Sequence, residues 1–212
     1  MLTFRVLSAL LNYPAPELKS QLAEVERILR SEGVLGTGHL EGVCGFLQYL
    51  RDTPQFDAES AYIDAFDRGR STSLYLFEHI HGESRERGEA MVKLLLRYRA
   101  HGLELGTREL PDYLPLFLEF LSTRPPAEAG KHLAEVADIV ALIGERLRRR
   151  GAPHAALFEA VASLAAPGAG AAASDLEPDS LDRDDTPAAL DAAWEEAPVT
   201  FNDAQGAPGA VR

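Results

Sequence analysis

A chain of 212 residues with 46% hydrophobic and 25% charged residues is long enough to bury the core of one globular domain, and that composition excludes wholesale disorder. A formal charge of −12 argues against a nucleic-acid binder, because phosphates are repelled where no basic face compensates. The single cysteine, Cys44, excludes an intramolecular disulfide, and its Val43-Cys44-Gly45-Phe46 setting reads as a small buried apolar residue in a reducing compartment.

No apolar run approaches the ~20 residues that span a bilayer. The amino terminus, with only Arg5 before the apolar run from Val6 to Leu11, lacks the layout of a signal peptide, so a cytoplasmic location without membrane insertion is expected.

Helical periodicity then runs along the chain. A first helix is expected over Thr3 to Leu11, capped by Thr3, with Phe4, Leu7, Leu10 and Leu11 inward and Asn12-Tyr13-Pro14 as the break. A second covers Ala15 to Glu32, with Pro16 and Glu17 in its first turn, Leu18, Leu22, Val25 and Leu29 on one face, and Gly33 as the stop. Leu40, Val43, Leu47 and Leu50 mark a third between the Gly36-Thr37-Gly38 loop and Thr53-Pro54. Ala58 to Asp67 makes a fourth that buries Tyr62, Ile63 and Phe66.

Leu74, Phe77 and Ile80, three residues apart, predict a short helix ended by Gly82. Ser84 is placed to cap the next, where Met91, Leu94, Leu95 and Tyr98 repeat until Gly102. A helix starting at Pro111 carries Asp112 in its first turn, where a carboxylate complements the helix dipole, and Leu114, Phe117, Leu118 and Leu121 as its apolar stripe. Beyond a loop at Ser122 to Pro126, Leu133, Val136, Val140, Ile143 and Leu147 predict the longest helix of the domain, Ala127 to Arg150, stopped by Gly151. Pro153 to Ala166 closes the domain.

No β-branched residues alternate over a strand's length. The expected fold is all-α, a single bundle of about eight helices over residues 1–166. From residue 167 to 212 the chain turns rich in Ala, Gly, Pro and Asp and poor in large apolar residues, which predicts a disordered acidic tail holding eight of the twelve net negative charges. Within it, Leu190, Trp194, Val199 and Phe201 form an apolar island over residues 190–201, able to dock on a partner or on the domain.

Chemistry-bearing residues concentrate between positions 71 and 121. His79 and His81, two residues apart, diverge on a helix, whereas chelation favours a spacing of three or four; no metal site is expected. No nucleophile elbow or phosphate loop is present. Glu109 and Asp112 as an acid and base pair would make a small nucleotide hydrolase, but a carboxylate at a helix start has a structural explanation. Arg68, Arg70, Arg85, Arg87 and Arg108 have forked donors suited to the phosphates of a nucleotide-like cofactor, with no Gly-rich anion loop beside them; no resident cofactor is expected, and direct contact with one stays open. A helical surface mixing aromatic, aliphatic and charged side chains suits a groove for an amphipathic peptide, and an adaptor for an unrelated client fits the same features.

Five segments in order carry a resemblance: FRVLSALLNYP (Phe4 to Pro14), AYIDAFDRGRSTSLYLFEH (Ala61 to His79), LFEHIHGESRERGEAM (Leu76 to Met91), ELPDYLPLFLEFL (Glu109 to Leu121) and AAWEEAPVTF (Ala192 to Phe201). Together they resemble the NarJ family of nitrate reductase assembly chaperones, within the TorD-like group of molybdoenzyme chaperones. The resemblance implies a non-enzymatic chaperone outside the final enzyme. It would bind the amino-terminal segment of the apo catalytic (alpha) subunit of nitrate reductase and hold that subunit competent for molybdenum cofactor and iron–sulfur cluster insertion before membrane attachment. Molybdenum cofactor delivery proteins come within the range of partners. On the matched stretch, the client-binding face is assigned to Tyr75, Glu78, His79, His81, Arg85, Arg87, Asp112 and Tyr113, and its histidines would make binding pH-sensitive near neutrality.

Overall fold

The computed structural model describes residues 1–81, 85–106 and 109–167, with His81 by its backbone alone. Among the described residues ten α-helices follow one another: α1 Leu2–Leu11, α2 Pro16–Glu32, α3 Thr37–Asp52, α4 Gln55–Phe66, α5 Glu78–His81, α6 Arg85–Ala100, α7 Leu114–Ser122, α8 Pro126–Ala134, α9 Ala137–Arg149 and α10 Ala155–Ala162. The all-α expectation holds. The only pairing of strand type among these residues is an isolated antiparallel bridge between Tyr75 and Tyr113. The expected tail and its island, Gly82 and the Ser84 cap lie outside the described residues.

Several boundaries follow local chemistry. Pro16 opens α2, where a missing N–H costs nothing, and Gly33 ends it at φ 62°, its N–H returning to the Leu29 carbonyl at 3.2 Å. Gly102 and Gly151, the other expected stops, also adopt positive φ. Thr3 is not the cap expected of it. α1 starts one residue earlier, and its first N–H groups are satisfied from outside the helix: Glu32, at the end of α2, accepts from Leu2 N–H at 2.9 Å and from Thr3 N–H and Oγ1 at 2.6 Å each. Ile63, expected inward, is 38% exposed, because Ala58, Tyr62, Ala65 and Phe66 form the buried face of α4.

The core centres on α7 and α10. Leu114, Phe117, Leu118, Phe120 and Leu121 are all buried, so α7 is apolar nearly all round and has to sit inside. α1 packs on α7 and reaches α10, while α10 lies against α9 and α3. Gly144 allows the close α9–α10 approach, since a Cβ there would stand 2.9 Å from Phe158 Cβ. Gly144→Ala is therefore expected to cost about 1–3 kcal/mol in chemical denaturation, the usual range for an overpacked core; an unchanged midpoint would show that the two helices separate freely.

The helix expected over Ala127 to Arg150 is two helices. α8 ends at Ala134, Glu135 and Val136 make a turn, and α9 restarts at Ala137, so the longest helix is α2 with 17 residues. Leu133, Val136, Val140, Ile143 and Leu147 are nonetheless all buried, because both helices keep the same face on the core. The arginines at the end of α9 also anchor the segment after α4. Arg146 donates to the Ser71 carbonyl at 2.8 Å, Arg150 to Thr72 Oγ1 at 3.1 Å and Ser71 Oγ at 2.6 Å, and Thr72 Oγ1 donates to the Ala65 carbonyl at 2.6 Å.

Candidate functional site

With residues 71–72 fixed in this way, the chain makes a short extended segment around Tyr75, which bridges Tyr113, and then a turn at Leu76 and Phe77 that leads into α5. Ser73, Leu74 and Leu76 are buried while Tyr75 and Phe77 are half-buried. The segment pairs with the residues before α7: Leu114 N–H donates to the Leu74 carbonyl at 2.8 Å, and Leu76 N–H to the Asp112 carbonyl at 3.0 Å. The short helix expected from Leu74 onward is thus reduced to α5, and α7 begins at Leu114 rather than Pro111.

Asp112 consequently lies outside the helix whose first turn it was expected to occupy. Its side chain is fully buried, so it positions other groups and cannot itself touch a partner in this conformation. Oδ2 accepts from Phe77 N–H at 3.1 Å and lies 3.8 Å from the Arg87 guanidinium; Oδ1 and Arg87 Nε are buried with no hydrogen-bond partner among the described residues. Burial lifts the Asp112 carboxyl above the usual carboxylate range, against the Phe77 N–H and Arg87, which pull it down. Arg87, near the start of α6, also pairs with Glu78 of α5 at 3.1 Å. One buried carboxylate therefore ties together the extended segment, α5, α6 and the entry to α7.

The other assigned residues surround this tie. Tyr75 stacks on Tyr113 at 5.4 Å between ring centroids and donates its hydroxyl to Glu109 at 2.8 Å. Tyr113 lies within 3.4 Å of both Tyr62 Oη and Asn12 Oδ1. Burial pushes the Tyr62 and Tyr75 phenols up, so neither ionises near neutrality. His79 Nε2 is 2.9 Å from the Ser73 carbonyl, which only accepts, so this nitrogen carries the proton. Arg85 projects into solvent, 4.0 Å from Glu89. The His81 side chain lies outside the described residues.

Two concavities flank the extended segment. One, of about 180 Å³, is lined by Tyr62, Phe66, Asp67, Ser73, Tyr75, Glu109 and Tyr113 and is ringed by hydroxyls and carboxylates. The other, of about 200 Å³, lies between α5, α6, α7 and the end of α8. Leu76, Phe77, Ile80, Ala90, Leu94, Phe117 and Val136 make it mostly hydrocarbon, with Lys93, Arg97 and Glu135 among its lining residues. Periodicity pointed to this stretch but not to Phe117 and Val136 as groove walls, because both read only as core.

Asp112 is sealed, and Glu109, exposed, accepts from the Tyr75 hydroxyl in a concavity that Asp67 also lines. Of the arginines with phosphate-suited forks, Arg68 pairs with Asp64 at 2.9 Å and Arg87 with Glu78; Arg108 lies outside the described residues. Among the described residues no helix is long and apolar enough to cross a membrane. Cys44, expected buried, is half-buried with Arg30 at 3.5 Å, and desolvation raises its thiol.

The profile of the nitrate reductase delta subunit family matches residues 35–160, which span both concavities and all eight assigned residues. The chain belongs to this family. It is 43% identical over 204 residues to the nitrate reductase molybdenum cofactor assembly chaperone NarJ of Escherichia coli strain K12, covering 95% of this chain and 85% of that protein. A probable chaperone of the same description, NarW of that strain, is 43% identical over 201 residues, 95% of this chain and 84% of the relative. A probable NarJ from Bacillus subtilis strain 168 is 28% identical over 160 residues, 74% of this chain and 84% of its own length. The resemblance drawn from the five segments is therefore confirmed across nearly the whole chain.

Proposed function

We propose that the protein is a dedicated chaperone of respiratory nitrate reductase that binds the apo catalytic subunit in the cytoplasm. It engages that subunit through its amino-terminal segment and keeps it competent for molybdenum cofactor and iron–sulfur cluster insertion. It is not an enzyme and is not retained in the assembled complex. The observation that carries this reading is the 43% identity over 95% of the chain to a NarJ chaperone of that description.

The geometry supports a docking role. An amphipathic segment placing an apolar side chain or two in the hydrocarbon groove would meet Lys93 and Arg97 on one side and the Glu78–Arg87 pair nearby. Apolar burial would supply affinity and the charges register. Tyr75, Glu78, His79, His81, Arg85, Arg87 and Tyr113 are the contacts proposed around it, with Asp112 holding the segment in place behind them.

Calorimetric titration with a peptide of the client's amino terminus tests the site. Ile80→Glu, which puts a charge in the groove, is expected to weaken one-to-one binding about tenfold or more, the effect of losing one buried anchor. Phe56→Glu, at a 76% exposed position of α4 outside the groove lining, is expected to leave affinity unchanged. Failure of the wild-type protein to bind, or equal loss in both variants, would remove the groove from the mechanism.

A further inference from the structure

The groove has a candidate occupant within the same molecule. We propose that residues 190–201 of the carboxy-terminal segment fill the apolar groove between α5, α6 and α8 when no client is bound. The corollary, that the client displaces them, rests on the function proposed above.

The chain leaves the described fold against α8, the helix that precedes one wall of the groove. Ala166 N–H donates to the Gly130 carbonyl of α8 at 2.9 Å, and Pro167 is the last described residue of this segment. Val136, a wall of the groove, lies in the turn that directly follows α8. Residues 168–189 separate this exit from the island, and a random-coil chain of that length would span roughly 25 Å on average. At that reach the island would meet the groove at an effective concentration on the order of millimolar, which suits weak and reversible docking.

Chemistry matches as well as reach. The island offers Leu190, Trp194, Val199 and Phe201 to a groove lined by Leu76, Phe77, Ile80, Leu94, Phe117 and Val136. A Trp seated there would leave Glu195 and Glu196, the next two residues, at the rim. Lys93 stands exposed at that rim with no ion-pair partner among the described residues, whereas Arg97 is paired with Glu135 at 2.8 Å. A covered groove would keep its hydrocarbon from other proteins until a better ligand arrives, and would lower the client's apparent affinity by the fraction of time it is occupied.

Trp194 is the only tryptophan of the chain, so tryptophan emission reports on this segment alone. In the full-length protein we expect blue-shifted emission shielded from acrylamide. Ile80→Glu and Ala90→Glu, both at half-exposed groove positions, should raise quenching severalfold with an unchanged far-ultraviolet circular dichroism spectrum. Lys93→Glu should release Trp194 in part, and Glu195→Lys with Glu196→Lys should restore shielding in that background. A client amino-terminal peptide lacking tryptophan should expose Trp194 at saturation.

Full quenching of Trp194 in the wild-type protein would overturn the proposal. So would shielding that no groove substitution alters, which puts the island elsewhere, or shielding lost on dilution, which makes it a contact between copies. Shielding released by the groove variants but not by a peptide that fails to bind would uphold tail docking and count against the client reading. Peptide binding with Trp194 exposed throughout would do the reverse.

Discussion

Asp112→Ala is expected to lower the stability of the domain by about 3 kcal/mol, because it strands a buried N–H and weakens the tether on a largely buried guanidinium. The carboxylate is fully buried, receives Phe77 N–H at 3.1 Å and faces Arg87 at 3.8 Å. Without it the extended segment loses its hold on the start of α7, and peptide affinity should fall together with the urea midpoint. Asp112→Asn keeps an oxygen for Phe77 N–H and removes the buried charge, so it should cost less than half as much. Because burial raises this carboxyl in the folded protein, its contribution is fully present below the ordinary Asp value and is lost as pH rises through the raised one. The gap between wild type and Asp112→Asn should therefore narrow as pH rises. A gap that widens with pH would mean the charged form is the stabilising one.

The second result is expected in acid. His154, at the start of α10, is 2% exposed and surrounded by Phe46, Phe66 and Tyr62, with ring centroids at 5.1, 5.0 and 6.1 Å. Its Nδ1 is buried without a hydrogen-bond partner. Desolvation in this aromatic setting pushes its pKa down to about 4 from the ordinary 6.5. The unfolded chain then binds the extra proton between those values, so stability is intact above pH 6.5 and is lost as pH falls toward 4. For this one group the loss amounts to about 3 kcal/mol. Carboxylates whose pKa values are lowered by arginine partners, Glu26 and Glu145 among them, add an acid loss of their own, so the useful quantity is a difference. His154→Phe should be markedly more stable relative to wild type at pH 4.5 than at pH 7 in paired urea titrations. Parallel pH profiles would show that the imidazole is not the titrating group.

Much of the architecture was legible because helix ends have chemical signatures. Pro16, Gly33, Gly102 and Gly151 act where expected, since each suits a backbone geometry that other residues resist. The break between α8 and α9 had no such marker. Glu135 and Val136 are ordinary helix residues, and the apolar repeat continues across the turn because both helices face one core. The extended segment was misread for a related reason: over so few residues, Leu74 and Phe77 fit a helical spacing while Leu74 and Leu76 fit a strand. What decides is remote, the Arg146 and Arg150 contacts from α9 and the pairing with residues 112–114. The site was legible as a region and not as roles. Asp112 looked like a helix-start carboxylate on an accessible corner, and only the fold shows that it is sealed under Phe77 and Arg87.

Affinity capture of the tagged full-length chain from cells producing nitrate reductase, with and without molybdenum cofactor synthesis, asks whether this helical domain receives an unfinished polypeptide. The catalytic subunit should be retained when cofactor is absent, the assembled enzyme should not, and Ile80→Glu should reduce capture. Equal capture of the apo subunit and the finished complex, or capture of neither, would contradict that role.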